Sequence, residues 1–471
     1  MIDLRQNFGI SFRELELAVF QKMQEMFVTV MQDVLKELDA AVFRLRKKNR
    51  YQVKEVRSGC VATLMGDVEY KRRYYLDKET GEYVFLLDKA LDVEAGRVSP
   101  GLAIAAAMQA VLGPSYRAAR ESLKRLYGYQ VVSHETIRQL ILRLGGLIEK
   151  EEEKKREEAD GTRKVPVLFV EVDGYWLSMQ KGKKRRQEMR MMVAHEGWEA
   201  RTPSSKEYEL VHKTHYLDLD SKDFWEKASR HLYSRYDIDE NTMVVINGDR
   251  ASWIRKGVEY FPNAIYQVDR FHIKRDLRRL LLGTRELKVC LEAADRSDLK
   301  TLTSSLAQAR DRAKTRIDDL SQFAQIDELL KSIRQMPEAY IDYRVRLAGK
   351  GYDVSKMRGM GAAESNVDRF SNRLKKRGQS WSVQGLKAMV QSLVKYFEGK
   401  LEHYSKHTSR IHDLLDGAEI TKKAVGVARQ ITSEITGVKQ TNVPIMHAGT
   451  TRSGGLSRLF HTLSRDRLLT T

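Results

Sequence analysis

The chain has 471 residues, 42% of them hydrophobic, enough for a sizeable core and roughly three domains at about 150 residues each. Seven prolines, against about 24 at an average usage near 5%, exclude collagen-like and proline-rich chains and favour long helices. Two cysteines, Cys60 and Cys290, make neither a disulfide framework nor a zinc knuckle, and 83 Lys+Arg over 64 Asp+Glu leave a net charge of +19, the footprint of a polyanion binder.

The opening MIDLRQNFGI carries an early acid and no apolar signal segment, and the nearly apolar run Gly101–Gly113 is too short to span a bilayer. The expectation is a soluble cytoplasmic protein in a reducing compartment, with no membrane partner. Ser11 and Glu14 have capping-box spacing, and Leu15, Leu17, Phe20, Met23, Phe27, Val30, Leu35 and Val42 recur at roughly helical intervals, predicting one or two amphipathic helices over 12–48. The period then changes. Val56, Val61, Leu64, Val68, Tyr70, Tyr74, Tyr75 and Tyr83–Leu87, punctuated by Gly66 and the turn DKETGE, predict short strands in a small β unit in which Cys60 packs as an apolar residue.

From Ser99 the pattern is helical again. SYRAARESLKRLYG followed by YQVVSHETIRQLILRL predicts a helix-turn-helix, with Ser133 as N-cap and Ile137, Leu140, Ile141 and Leu144 as the apolar stripe of its second helix. His134, Glu135, Arg138, Gln139 and Arg143 then face outward, polar enough to probe a DNA groove; an ordinary packed helix pair is the competing reading. The charged run EKEEEKKREEADGTRK predicts a helix end and linker, with a domain boundary near residue 163.

Beyond it the pattern turns α/β. PVLFVEVDGYWLSMQ, Gln187–Glu199, Tyr208–Leu219, TMVVINGD and AIYQVD are strand candidates, with KDFWEKASRHLYSRY and SWIRKGVEYF as helices between them. Three strands, a helix, a strand, a helix and a strand is the order of a ribonuclease-H-like core. The 75 or so residues after Phe271 lack strand signals and predict an inserted group of helices, with Cys290 as packing. The Gly/Ser/Thr-rich end, HAGTTRSGGLSR, predicts a loose tail.

Asp173 and Asp249 each close an apolar strand, and strand ends in an open α/β sheet gather at one edge, where ligands bind. Carboxylates brought together there repel unless a cation neutralises them, and hard oxygen ligands select Mg²⁺ or Mn²⁺. Such ions can hold the oxygens of an in-line phosphoryl displacement. A third carboxylate is expected: Glu364 follows the small residues Gly359, Gly361, Ala362 and Ala363, with Asp353 and Asp368 as rivals. The basic excess is concentrated in two places. Lys181–Arg190 holds six bases and one acid, including Lys183, Lys184, Arg185 and Arg186; residues 351–400 hold ten bases and four acids, including Arg369, Arg373, Lys375, Lys376 and Arg377. These residues are candidates for holding a DNA backbone.

EVDGYW around Asp173, NGDRASWIRKG around Asp249, VDRFH from Asp269 to His272 and AAESNVDRFSNRLKKRGQSWS around Glu364, in this order, resemble the blocks of bacterial insertion-sequence transposases of the DDE type. Within these, the nearest group is one once classed as an uncharacterised protein family and related to the Mutator-like transposases. The resemblance also takes in SYRAA, VSHETI and HEGWE, and so most of the chain. It implies a ribonuclease-H-like catalytic core with an α-helical insertion, and a catalytic, metal-binding triad of Asp173, Asp249 and Glu364. Asp269 and His272 match a supporting D-x-x-H element, and Arg250 stands where such families often carry glycine. The implied activity is Mg²⁺- or Mn²⁺-dependent cleavage and strand transfer at terminal inverted repeats of double-stranded DNA, by a homo-oligomer. The alternatives are a ribonuclease-H-like nuclease without strand transfer and an inactive transposase-derived DNA-binding protein.

The expected organisation is N-terminal helices (1–52), a small β unit (53–98), the helix-turn-helix and linker (99–163), the first part of the core (164–275), a helical insertion (276–350), the last acid and basic helix (351–400) and a helical, partly loose tail (401–471).

Overall fold

A computed structural model describes residues 11–91, 93, 98–180, 185–203, 205, 207–219, 222–314 and 320–405. The described chain divides into two compact units, the first within Met1–Gln109 and Arg117–Ile137, the second from Ala110–Tyr116 and Arg138–Tyr404.

In the first unit, α1 (Phe12–Leu45) is a single helix started by the expected capping box: Glu14 N–H donates to Ser11 Oγ, and Ser11 N–H to Glu14 Oε2 at 2.7 Å. Its later turns bury Leu35 and Val42 against a long hairpin of β1 (Tyr51–Thr63) and β2 (Gly66–Asp77), to which β3 (Tyr83–Val84) adds an edge. The strands are longer than the interrupted hydrophobic pattern predicts, because the register runs unbroken except for one bulge at Val53/Glu55. Gly81, at φ +75°, makes the left-handed turn of DKETGE. Cys60 is half-buried. Next come α2 (Leu86–Leu91), α3 (Pro100–Leu112) and α4 (Tyr116–Tyr127).

The second predicted helix of the helix-turn-helix is α5 (His134–Glu158), capped by Ser133 Oγ accepting from Thr136 N–H at 2.9 Å. It runs 25 residues, through the stretch expected to be a linker. The division between units falls near residue 137, not near 163, because the rest of α5 belongs to the second unit. There Gly145 approaches α14 (Val383–Phe397) so closely that a Cβ would lie 2.3 Å from Ala388 Cα.

The second unit is built on a five-stranded mixed sheet of β4 (Val167–Ser178), β5 (Arg186–His195), β8 (Thr214–Asp218), β9 (Met243–Gly248) and β10 (Ala264–Val268), in the order β10-β9-β4-β5-β8. A separate hairpin, β6 (Trp198–Ala200) and β7 (Tyr208–Leu210), lies between β5 and β8 in sequence. β4, β5 and β8 are antiparallel neighbours, whereas β4, β9 and β10 are parallel. The parallel pairs need crossovers, supplied by α6 (Phe224–Tyr233) and by α7 (Ser252–Arg255) with the short 3₁₀ turn after it. One sheet face, with Leu168, Val170, Val172, Val244 and Ile246, packs against α6, α8 (Arg270–Leu281), α9 (Glu286–Arg296), α10 (Leu299–Lys314) and α11 (Leu320–Gln335). These four later helices are the predicted insertion, and Cys290 is buried among them. The other face carries Val167, Phe169, Met243, Val245 and Ile265 against α12 (Tyr343–Ala348). After α12 the chain enters α13 (Ala362–Leu374), which packs on β4 and β5. No described helix is long and apolar enough to cross a membrane.

Candidate active site at the parallel strand ends

Register places the acids. Val172, Gly248 and Val268 are aligned on the three parallel strands, so Asp173, Asp249 and Asp269 form the next row, on strands about 4.8 Å apart. The glycine in NGD is a consequence of this closeness: a Cβ on Gly248 would sit 2.7 Å from the Val172 carbonyl oxygen. Each aspartate is held by a following backbone N–H. Asp173 Oδ1 accepts from Gly174 at 2.7 Å, Asp249 Oδ1 from Ala251 at 2.8 Å and Asp269 Oδ1 from Phe271 at 2.7 Å, the last capping α8. Asp269 Oδ2 also accepts from Asn247 Nδ2 at 3.1 Å. Asp269 is therefore fully engaged by protein donors, whereas Asp173 and Asp249 each keep an oxygen without a hydrogen bond among the described residues.

Burial pushes the Asp173 carboxyl above its usual range; the Gly174 N–H and His272 pull it back, and Asp249 and Asp269 add to the rise. Burial raises Asp269 too, against the Phe271 N–H and His272. His272, in the first turn of α8, thus belongs electrostatically to the aspartate row, and its Nδ1 is buried with no hydrogen bond. The N-cap of α8 is Asp269, so His272, three residues on, is left without a capping role. Arg250 is turned to α8, where it pairs with Asp276 at 2.8 Å.

Two carboxylates, each with an oxygen to spare, fit one hard divalent cation. Among the described residues no group of three or more His, Cys, Asp or Glu side chains is gathered as a metal cage. Glu364 lies exposed in the first turn of α13, the helix whose N-terminus docks on β4. Its rivals are engaged elsewhere: Asp368 pairs with Lys376, and Asp353 accepts from Ser355 N–H at 2.9 Å.

Of the expected DNA-binding residues, Arg185, Arg186, Arg369, Lys375, Lys376 and Arg377 are exposed; Glu135, Gln139 and Arg143 are exposed on α5, and Arg138 is half-exposed. Lys183 and Lys184 lie outside the described residues. Arg373 is a correction. It is 5% exposed, donates from Nε to the Ala110 carbonyl at 2.9 Å, stacks by Trp381 and has its pKa lowered by burial to about 10. It sits on the inward side of a helix whose exposed basic residues suggested a uniformly basic face.

One layer beneath the aspartates is a second polar row that sequence reasoning missed. Glu171, Asn247 and Gln267 are aligned across β4, β9 and β10, and all three are buried. The tripeptides EVD, NGD and QVD carry its signal: each apolar run places a hydrogen-bonding side chain two residues before its terminal aspartate, on the same strand face.

Curated relatives share this chain at moderate identity. A protein from Caldanaerobacter subterraneus subsp. tengcongensis is 23% identical over 461 residues, covering 94% of this chain and 91% of the relative. One from Streptococcus gallolyticus, named for its position in the vanSb 3′ region, is 28% identical over 403 residues, covering 84% and 85%. Among solved structures, a Drosophila P element transposase strand transfer complex aligns over 70% of this chain at 10% identity with a TM-score of 0.23, too slight a likeness to bear on fold or activity. The two relatives are named as members of one family, and the model of that family matches residues 5–410; the chain belongs to the uncharacterised protein family UPF0236.

Proposed function

We propose that the protein is a DDE-type DNA transposase with a ribonuclease-H-like core, which cuts the ends of its own element and joins the freed 3′-OH to target DNA. The observation that carries this reading is the pair Asp173 and Asp249, side by side at the ends of parallel strands with one unengaged oxygen each. The strand order 5-4-1-2-3, counted along the chain within the sheet, with the first three antiparallel and the last two parallel to the first, supports the ribonuclease-H-like assignment. One relative from C. subterraneus bears a name that joins eleven separate designations, which fits a sequence repeated within a genome.

In this reading Asp173 and Asp249 hold Mg²⁺ or Mn²⁺, which when bound lowers the pKa of water and offsets charge on the phosphoryl oxygens. Glu364 completes the ligand set from α13. Asp269 and His272 set the local field, and Arg185, Arg186, Lys375, Lys376 and Arg377 hold the DNA backbone by charge. Double-stranded DNA is the partner, and pairing of two element ends requires more than one copy of the chain.

The test uses full-length protein and duplex DNA carrying the flanking genomic repeats. Wild type should nick the ends and join them to a second duplex in Mg²⁺ or Mn²⁺, and Asp249→Asn should bind the ends but not cut. Cleavage at the wild-type rate in EDTA, or by Asp249→Asn, would overturn the proposal. Cleavage without joining would favour the nuclease reading; binding without cleavage would favour a DNA-binding descendant.

A further inference from the structure

The polar row beneath the aspartates has one direction, and backbone groups set it at both ends. Tyr343 N–H, at the start of α12, can only donate, and it donates to Gln267 Oε1 at 2.6 Å. Gln267 must then turn its Nε2 to Asn247 Oδ1, at 3.0 Å, and Asn247 must turn its Nδ2 to Asp269 Oδ2, at 3.1 Å, and to Glu171 Oε2, at 3.5 Å. At the other end Ala363 N–H, at the second position of α13, donates to the same Glu171 Oε2 at 3.2 Å. His195 Nε2 faces Glu171 Oε1 at 3.5 Å, and carries the ring proton when Nδ1 accepts from Gly197 N–H. Glu171 is fully buried and its Oε2 accepts from both Asn247 Nδ2 and Ala363 N–H, so an acceptor must stand at that atom.

We infer that Glu171 is a positioning residue: its carboxylate anchors the first turn of α13 on β4 and, through Asn247, ties that anchor to Asp269. It thereby sets where Glu364 stands relative to the aspartate row. Glu171 touches no substrate in this scheme. The consequence for chemistry rests on the transposase reading above; the anchor itself does not.

The first N–H groups of a helix have no acceptor within the helix and normally exchange fast. Hydrogen exchange on the wild-type full chain, resolved at Ala363, should instead show at least tenfold protection relative to Glu364, the next N–H of the same first turn. Glu171→Gln is nearly isosteric but replaces the charged acceptor of Ala363 N–H and Asn247 Nδ2 by a neutral, weaker one, and should speed exchange over 362–366 at least tenfold while β4 and β9 stay protected. In metal-dependent cleavage it should lower kcat about tenfold, leave KM for DNA within twofold and raise the half-saturating Mn²⁺ concentration. Glu171→Asp, which keeps the charge but is one methylene shorter, should lie between wild type and Glu171→Gln. An unprotected Ala363 amide in the wild type overturns the anchor whether or not any variant folds. A loosened α13 with unchanged kcat and Mn²⁺ response overturns its positioning role. If the wild type cuts no DNA, the transposase reading fails while the exchange result still decides the anchor.

Discussion

Replacing Asp173 by Asn should stabilise the cation-free protein. The aspartate is partly buried, and its pKa is raised first by burial and then by Asp249 and Asp269, so ionising it costs the folded state more than the unfolded chain. Two ionised carboxylates about 5 Å apart at an effective dielectric constant near 20 repel by about 3 kcal/mol. Exposure of the row to solvent reduces this to about 1–2 kcal/mol. Asn keeps the oxygen that accepts from Gly174 N–H, so little is lost in exchange. For a chain of this size a gain of that order is a rise in Tm of roughly 1–2 °C at pH 7. The sign follows from the raised pKa. Below the ordinary aspartate value of 3.8 both states are protonated and the variant has no advantage; the advantage grows as pH rises from 3.8 through the raised folded pKa and is complete above it. Thermal unfolding in EDTA between pH 4 and pH 8 measures it. Added Mn²⁺ should raise the wild-type Tm and reverse the order of the two proteins. A variant less stable than wild type in EDTA at pH 7, or an advantage independent of pH, would refute the reasoning.

Three further outcomes follow from buried charge. Lys395 is 2% exposed and joins α14 to α5 through Glu152 at 2.8 Å and to Glu398 at 3.2 Å, so Lys395→Met should cost about 3–5 kcal/mol in urea unfolding. Glu152 would still keep Arg235 at 2.9 Å, which favours the lower figure, and a loss under 1 kcal/mol would show the network to be idle. Burial alone would raise Glu152, but Arg235 and Lys395 hold it at about 2, so its contribution is complete above pH 4.5 and should disappear as pH falls through about 2. Arg373→Ala should lower Tm while leaving the salt dependence of DNA binding unchanged, whereas Lys375→Ala with Lys376→Ala should leave Tm unchanged and reduce the slope of log affinity against log salt by about 2. The opposite pattern would put Arg373 on the DNA.

Local pattern was enough for the three parallel strands and for the aspartates at their ends, but not for the candidates Gln187–Glu199 and Tyr208–Leu219, each of which the fold divides between the main sheet and the β6–β7 hairpin. Alternation and β-branching in PVLFVEVD, TMVVINGD and AIYQVD determine strands, because each side chain's face follows from a two-residue period, and the capping box at Ser11 determines a helix start from four residues. That α5 would run on to Glu158 was not legible there, since the charged run EKEEEKKREEADGTRK suits a helix end and a linker equally well; the ion pairs of Glu152 with Arg235 and Lys395 favour the helix. The inward turn of Arg373 and the burial of Lys395 were hidden for the same reason: a basic side chain on an amphipathic helix is assigned to water unless an acceptor from a distant segment, here the Ala110 carbonyl and Glu152, compensates its burial. Which residues end the strands, and which chemistry they can support, is written in the local pattern. That Asp173, Asp249 and Asp269 share one row, that Asp269 is consumed by Phe271 and Asn247, and that Glu171 meets α13 from 192 residues away comes only from the folded chain. Strand order and helix docking arise from pairing between segments far apart in the chain, and no local period carries that information.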